Sequence, residues 1–349
     1  FDCVSHELLL QKLKFYGIRG LIHQLLSSYL KNRVQTVYEK NKYSELKTVN
    51  IGVPQGSILG PIFFLVFIND FPVNSCSMNT ILFADDTTLI NSATTVDEVK
   101  TKENIALNNT LIWLSHNGLA MNKEKNQSIV FSLRPEEVIE SETVKFLGLH
   151  LDKKITWESH VDHLAKKLNS ILFQLRKLVL FCSLETVLTY YHSNFKSLLS
   201  YGILLWGNSS SAIRIFKIQK KALRIICKIS SRTSCKNLFQ SLNILTLPCL
   251  FIYYTLIYTF DNQSKFLLNS DNHCYNTRNR SQLTIPYCRL QKTQQSVNFI
   301  SVKLFNAVPY TVKCLPRNCF KSRIKTMLQS HSFYCISEFI DFCANGNLM

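Results

Sequence analysis

The back of this chain is short of acid. Residues 151–349 hold 26 Lys and Arg against 8 Asp and Glu, whereas residues 1–150 hold 14 against 15. The net charge of +17 is therefore a front at −1 and a back at +18. A neutral front with a strongly basic back suggests that the back half meets a polyanion. Charge alone also fits a soluble basic surface, so other signals must decide. Among the 12 cysteines there is no Cys-x-x-Cys pair, and the His273/Cys274 and Cys314/Cys319 neighbourhoods lack the spacing of a zinc finger or knuckle. Cys182 and Cys227 fall in apolar helical patterns, where a thiol behaves as a small hydrophobe. This is the cysteine usage of reduced, buried thiols in an intracellular protein. No signal peptide is visible. The longest apolar run, Ile58 to Ile68, contains Pro61 and stops at Asn69-Asp70. It is too short to span a bilayer and reads as a core helix. No internal repeat is found. The first residue is Phe, not Met, so the chain is expected to be a fragment.

What is present is a globular composition, 46% hydrophobic and 18% charged, which excludes a disordered chain. Its length allows two or three domains. Residues 4–30 read as helical, on both sides of Gly20. Val34 to Tyr38 and Leu46 to Ile51 alternate and form a hairpin around the polar stretch Glu39 to Tyr43. Ile81-Leu82-Phe83 and Thr88-Leu89-Ile90 flank Ala84-Asp85-Asp86-Thr87 as a second hairpin. Thr95 to Asn117 reads as a helix. Strands near Ser128–Phe131 and Val144–His150 complete an α+β domain. Helices follow. Val161, Leu164, Leu168, Ile171, Leu172, Leu175, Leu178 and Val179 hold helical spacing, with Thr156 or Ser159 as the cap. Over residues 212–229, Ile215, Ile218, Ala222, Ile225, Ile226 and Ile229 make an apolar side. Arg214, Lys217, Lys221, Arg224 and Lys228 step by three and four along another face, with no acid among them. That face is either solvated or turned to phosphates. Residues 261–296 are polar and turn-rich and read as a loop.

Two adjacent carboxylates, Asp85 and Asp86, on a hairpin turn repel each other. A divalent cation would resolve this, because carboxylate oxygens are natural ligands of Mg²⁺. Metals held so can clamp the attacking and leaving oxygens of phosphoryl transfer. Alone, the pair reads first as a turn that uses Asp for local hydrogen bonds. Gly52-Val53-Pro54-Gln55-Gly56-Ser57-Ile58-Leu59-Gly60-Pro61 lets backbone approach a ligand closely and presents Gln55 from a rigid turn. Alone, it reads first as a linker between a strand and a helix.

Taken together these blocks resemble reverse transcriptases of non-LTR, LINE- or jockey-like retrotransposons. Gly52 to Phe71 resembles their motif B, and Phe83-Ala84-Asp85-Asp86 their motif C. Phe1 to His6 looks like the tail of motif A, Ser27 to Tyr38 like the stretch leading into motif B, Trp113 to Phe131 like motif D, and Val144 to Gly148 like the primer-grip motif E. Tyr201-Gly202, Trp206-Gly207, the Gln219 to Arg224 helix and Tyr275-Asn276-Thr277-Arg278 resemble the thumb and C-terminal region. The resemblance implies a right-hand polymerase palm over 1–150 with the fingers mostly missing, a basic helical thumb over 151–230 and a helical C-terminal region over 231–349. It implies RNA-templated DNA synthesis with Mg²⁺, an RNA template, a DNA primer or target and deoxynucleoside triphosphates as partners, no membrane, and an intracellular, plausibly nuclear, setting. By the same resemblance Asp85 and Asp86 are catalytic metal ligands. Gln55 lies by the incoming nucleotide, Phe1 excludes a 2′-hydroxyl, Lys125 serves the pyrophosphate, and Phe146, Leu147 and Gly148 position the primer end. Motif A in the family places its metal-binding Asp ahead of the aromatic, so Asp2 is that motif's second Asp and not a ligand. The expectation is an enzyme family whose activity this chain alone does not show. The alternative is a catalytically dead, nucleic-acid-binding remnant or repurposed copy.

Overall fold

The first helical stretch is broken in two. Helix α1 (His6–Phe15) starts where the Ser5 hydroxyl accepts from the Leu8 amide at 3.4 Å, and helix α2 (Gly20–Leu30) follows a turn at Gly17, whose φ is +91°. The computed structural model of the protein describes residues 1–71, 79–132, 143–272, 275 and 277–345. They divide into two compact units, Phe1–Gln127 and Ser128–Met349.

In the first unit the expected hairpins form. Strands β1 (Arg33–Gln35) and β4 (Lys47–Val49) pair antiparallel, with β2 (Tyr38–Glu39) and β3 (Lys42–Tyr43) continuing the ribbon to a turn at Lys40 and Asn41. The apolar run is helix α3 (Leu59–Ile68), a core helix as expected, with Phe63, Phe64, Phe67 and Ile68 buried. Strands β5 (Asn79–Phe83) and β6 (Asp86–Ile90) form the second hairpin, and helix α4 (Val96–His116) follows. Helix α4 is capped by Thr95, which accepts from Glu98, while the Glu98 carboxylate takes the Thr94 amide and hydroxyl. One core joins these parts. Val4, Leu9, Leu13, Leu30, Val53, Phe67 and Trp113 are buried in it, and Leu82 and Leu89 of the hairpin pack on it. Lys12 crosses this unit, bonding to the Phe67 carbonyl at 2.7 Å and the Asp70 carboxylate at 2.8 Å. The strand expected near Ser128–Phe131 is absent. That segment is irregular, because its adjacent apolar residues lack the strict alternation that pins a ladder.

The second unit opens with hairpin β7 (Thr143–Phe146) and β8 (Leu149–Asp152). Leu149 is buried with Val161 and Leu164 of helix α5 (Glu158–Phe181), so this hairpin folds with the helices, and the break between units lies earlier than residue 150. Trp157 holds the cap position at φ +64° without a side-chain bond, the Thr156 hydroxyl accepts from the Glu158 amide at 3.4 Å, and the Asp152 carboxylate takes the amides of Thr156 and Trp157 at 2.9 Å each. Helix α6 (Leu184–Tyr190) passes into a π-helical segment, Tyr191–Lys196, and a last α-turn, Ser197–Ser200. Helices α7 (Ala212–Ile226), α8 (Leu247–Asp261), α9 (Val297–Ala307), α10 (Arg317–His331) and α11 (Ile336–Ala344) complete the core. Helix α7 ends three residues before the expected 229, where Lys228 turns to φ +54°. The 261–296 stretch is mostly irregular, with short turns of helix and one bridge between Leu268 and Leu283. His273, Cys274 and Asn276 lie outside the described residues. Among the described residues no helix is long and apolar enough to cross a membrane.

Candidate functional site

The paired carboxylates sit where the hairpin reading put them. Phe83 pairs with Asp86 across the ladder, so Ala84 and Asp85 form a two-residue turn. Ala84 holds φ at +51°, a left-handed conformation that costs a non-glycine residue on the order of 1 kcal/mol. Leu82 and Leu89 anchor the hairpin to the core from one side. Ile81, Phe83 and Ile90 are exposed, and so are both aspartates. The turn thus presents adjacent carboxylates to solvent from a strained, anchored loop. Hard oxygen donors of this kind suit Mg²⁺, which is commonly held by one or two carboxylates together with waters and substrate phosphates. Among the described residues no group of three His, Cys, Asp or Glu is placed to hold a metal ion.

The N-terminal segment and the Gly52–Gly60 loop lie together. The Gly52 amide donates to the Val4 carbonyl at 2.7 Å, the Val53 amide to the Phe1 carbonyl at 3.0 Å, and Ser5 bridges Ile51. His6 reaches the Gly52 carbonyl through Nε2 at 2.7 Å. Gly52 has φ +86°, and a Cβ there would stand 2.9 Å from the Asp2 carbonyl oxygen. Any side chain at this position would push the two segments apart. Gln55 is exposed, and its amide donates to the Asp2 carboxylate at 2.7 Å. Phe1 stacks on Phe64, with centroids 4.2 Å apart, and stays partly exposed. Lys125 is exposed on a turn organised by Asn122, whose side chain accepts the amides of Glu124 and Lys125 at 3.1 and 3.3 Å.

Phe146, Leu147 and Gly148 form the tip of the β7–β8 hairpin. The tip is clamped from within the second unit. The Tyr201 hydroxyl donates to the Leu147 carbonyl, and its ring lies against Gly148. Gly202 has φ +60°, and a Cβ there would stand 2.8 Å from a Leu149 methyl. Trp206 is fully buried and donates to the Tyr201 carbonyl at 3.0 Å. The Tyr201-Gly202 and Trp206-Gly207 pairs singled out in the sequence are thus the brace of this turn.

The basic stripe on α7 is less uniform than its spacing suggests. Arg214 pairs with Asp162 of α5, an acid far away in the sequence. Arg224 is half-buried and donates through Nε and Nη2 to the Thr233 carbonyl at 3.1 and 2.9 Å. Lys217, Lys221 and Lys228 are exposed. Of the five cations on this face, three lysines are exposed and the two arginines are engaged within the fold. Sequence reading also missed a histidine cluster. His160 is buried, its ring nitrogens have no partner among the described residues, and His150 and Trp206 lie within 6.4 Å and 5.7 Å of it between ring centroids. His150 and His163 lie 4.5 Å apart between centroids. Burial, then the charges on His150, His163 and Lys167, pull the His160 imidazole down to about 4. Its helical spacing with Leu164 was the one available signal.

Comparison with known proteins bears on the first part of the chain. Residues 1–151 match the family described as reverse transcriptase (RNA-dependent DNA polymerase). Residues 1–151 therefore belong to the reverse transcriptase family, a family of nucleotidyltransferases. The chain is 30% identical over 277 residues to a probable RNA-directed DNA polymerase from transposon BS of Drosophila melanogaster, covering 70% of this chain and 30% of that protein. It is 26% identical over 254 residues to the RNA-directed DNA polymerase from mobile element jockey of the same fly, covering 65% and 27%. A probable RNA-directed DNA polymerase from transposon X-element is 30% identical over 250 residues, covering 65% and 27%. All three relatives are named as RNA-directed DNA polymerases of Drosophila mobile elements. The chain spans less than a third of the length of these curated relatives.

Proposed function

We propose that the protein serves RNA-templated DNA synthesis for a non-LTR mobile element, with residues 1–150 as the palm, 151–230 as the thumb and 231–349 as a C-terminal region. The observation that carries this reading is the Asp85–Asp86 pair on its strained turn, inside the segment that matches reverse transcriptases. Asp85 and Asp86 would hold Mg²⁺, which would polarise the reacting phosphate oxygens. Gln55 and Phe1 border the nucleotide. In this reading the Gln55 amide releases Asp2 when a nucleotide arrives, since one amide cannot serve both. Lys125 neutralises the leaving pyrophosphate. Phe146, Leu147 and Gly148 steady the primer end, and the brace by Tyr201 gives that turn the rigidity a positioning element needs. The lysines of α7 track the phosphates of template and primer, and the work is done intracellularly, at the target DNA.

Two-metal phosphoryl transfer needs carboxylates on both sides of cations about 3.5–4 Å apart. Asp85 and Asp86 supply one side, and Asp2 is held by Gln55. We therefore expect no primer extension above background by these 349 residues with Mg²⁺ or Mn²⁺. A longer chain that adds an Asp five residues ahead of Phe1 should extend a primer on an RNA template. Asp85→Asn in the longer chain should return synthesis to background. Robust extension by the 349 residues alone would refute the incomplete site. Retained nucleic-acid binding with no synthesis by the longer chain would favour a binding remnant, a reading that the exposed lysines of α7 also support.

A further inference from the structure

The π-helical segment Tyr191–Lys196 holds neither proline nor glycine, the usual causes of helix distortion. Such segments are rare and often mark functional places. Tyr191 and Phe195 are fully buried in the core. Tyr191, His192 and Lys196 line a pocket of about 250 Å³. Its opposite wall is the turn at Asn243, with φ +53°, and the helix α10 residues Lys325 and Gln329. Gln329 braces that wall by donating to the Asn243 carbonyl at 2.7 Å.

The charges are the unusual part. Two lysines and a histidine converge, and among the described residues no carboxylate lines the pocket. Among the described residues neither Lys196 nor Lys325 forms an ion pair. Burial, then the charge on Lys325, lowers the Lys196 amine below its ordinary range. Burial, then Lys196 and Lys325, does the same to His192. Like charges gathered in a half-enclosed space are unfavourable unless an anion joins them. The volume is below the ~300–1,000 Å³ of sites for drug-sized molecules, so a small head group fits.

We propose that this pocket binds a phosphate group, held between the Lys196 and Lys325 ammonium groups, with His192 and the Asn243 and Gln329 amides as further donors. A phosphate monoester at the end of a nucleotide or nucleic acid and an internal backbone phosphodiester share this chemistry. The inference stands apart from the polymerase reading, since it needs neither the first unit nor catalysis.

The test uses the full chain, with inorganic phosphate titrated calorimetrically at constant ionic strength set by chloride. Wild-type protein should bind phosphate saturably. Lys196→Gln and Lys325→Gln should each weaken binding at least about tenfold, as expected for losing one charge-assisted contact. Lys265→Gln, an exposed charge-matched control, should change nothing. A short single-stranded oligonucleotide with and without a 5′-phosphate separates the sources. Preference for the phosphorylated form, lost in both variants, identifies a terminal monoester. Equal binding of both forms, equally weakened by the variants, identifies the backbone. Folding is controlled by melting. In phosphate-free buffer Lys325→Gln should melt at or above the wild-type temperature, because a repulsion is removed, and below it in saturating phosphate. No saturable phosphate binding by the wild type, or binding that both variants retain, overturns the proposal.

Discussion

Helix α7 carries its basic face on one side and a fully buried polar residue, Gln219, on the other. Its amide donates to the Tyr191 hydroxyl at 3.0 Å and the Leu245 carbonyl at 2.9 Å, and its oxygen accepts from the Leu247 amide at 2.8 Å. Only this orientation of the amide serves all three. One side chain thus ties α7 to the π-helical segment and to the start of α8. Gln219→Leu keeps nearly the same volume, so no large cavity enters the account. It leaves a buried hydroxyl, a carbonyl and an N–H without partners. Each such group costs about 1–3 kcal/mol, so the loss should be about 3–6 kcal/mol after allowing for relaxation. Because two units need not unfold together, the assay is amide hydrogen exchange within Ala212–Ile226 and Leu247–Asp261. A loss of about 3 kcal/mol speeds exchange by roughly 100-fold under conditions where closing outpaces chemical exchange, so that the opening equilibrium sets the rate. The double variant Tyr191→Phe with Gln219→Leu should regain about 1–2 kcal/mol, since the stranded hydroxyl is gone. An acceleration under about tenfold for Gln219→Leu would refute the network as a source of stability.

His160 offers a pH test. Its imidazole is held near 4 in the fold, against about 6.5 when unfolded. The unfolded chain therefore takes up the proton first, and stability is lost as pH falls from about 6.5 toward 4, by roughly 2 kcal/mol at pH 5 relative to pH 7.5. Protection of Glu158–Phe181 against exchange should fall accordingly, and His160→Phe should flatten the profile; a flat wild-type profile would contradict the buried, neutral ring. For nucleic-acid binding, Lys217→Ala with Lys221→Ala and Lys228→Ala should lower the slope of log affinity against log salt by about 2–3, at ~0.7–0.9 per phosphate contact. Arg214→Ala with Arg224→Ala should act mainly on stability, because both groups already bond within the protein. Slope changes in proportion to the number of cations removed, three against two, would show that the stripe acts as five equivalent cations.

Much of the architecture is written locally. The alternation of Ile81-Leu82-Phe83 and Thr88-Leu89-Ile90 around a short polar turn specifies the hairpin, because side chains on a strand alternate faces and one face here had to reach the core. The spacing of Val161 through Val179 specifies α5 and its buried side in the same way. The Asp85–Asp86 turn and the clustering of Gly52 to Gly60 were legible because neighbours in the chain create them. The irregular segment at 128–131 and the break at Gly17 were not, since short apolar runs fit several structures.

Sequence by itself determined the periods of the helices and hairpins, the charge of the back half and the carboxylate pair. Tertiary structure alone decided which charges are spoken for. Arg214 meets Asp162 on another helix, Arg224 closes on the Thr233 carbonyl, and His160 loses its water to Trp206 and its neighbours. It also gathered His192, Lys196 and Lys325 around one pocket. Charge is a property of the residue, but its partners and its hydration are properties of the packing, and these join positions that no local pattern connects.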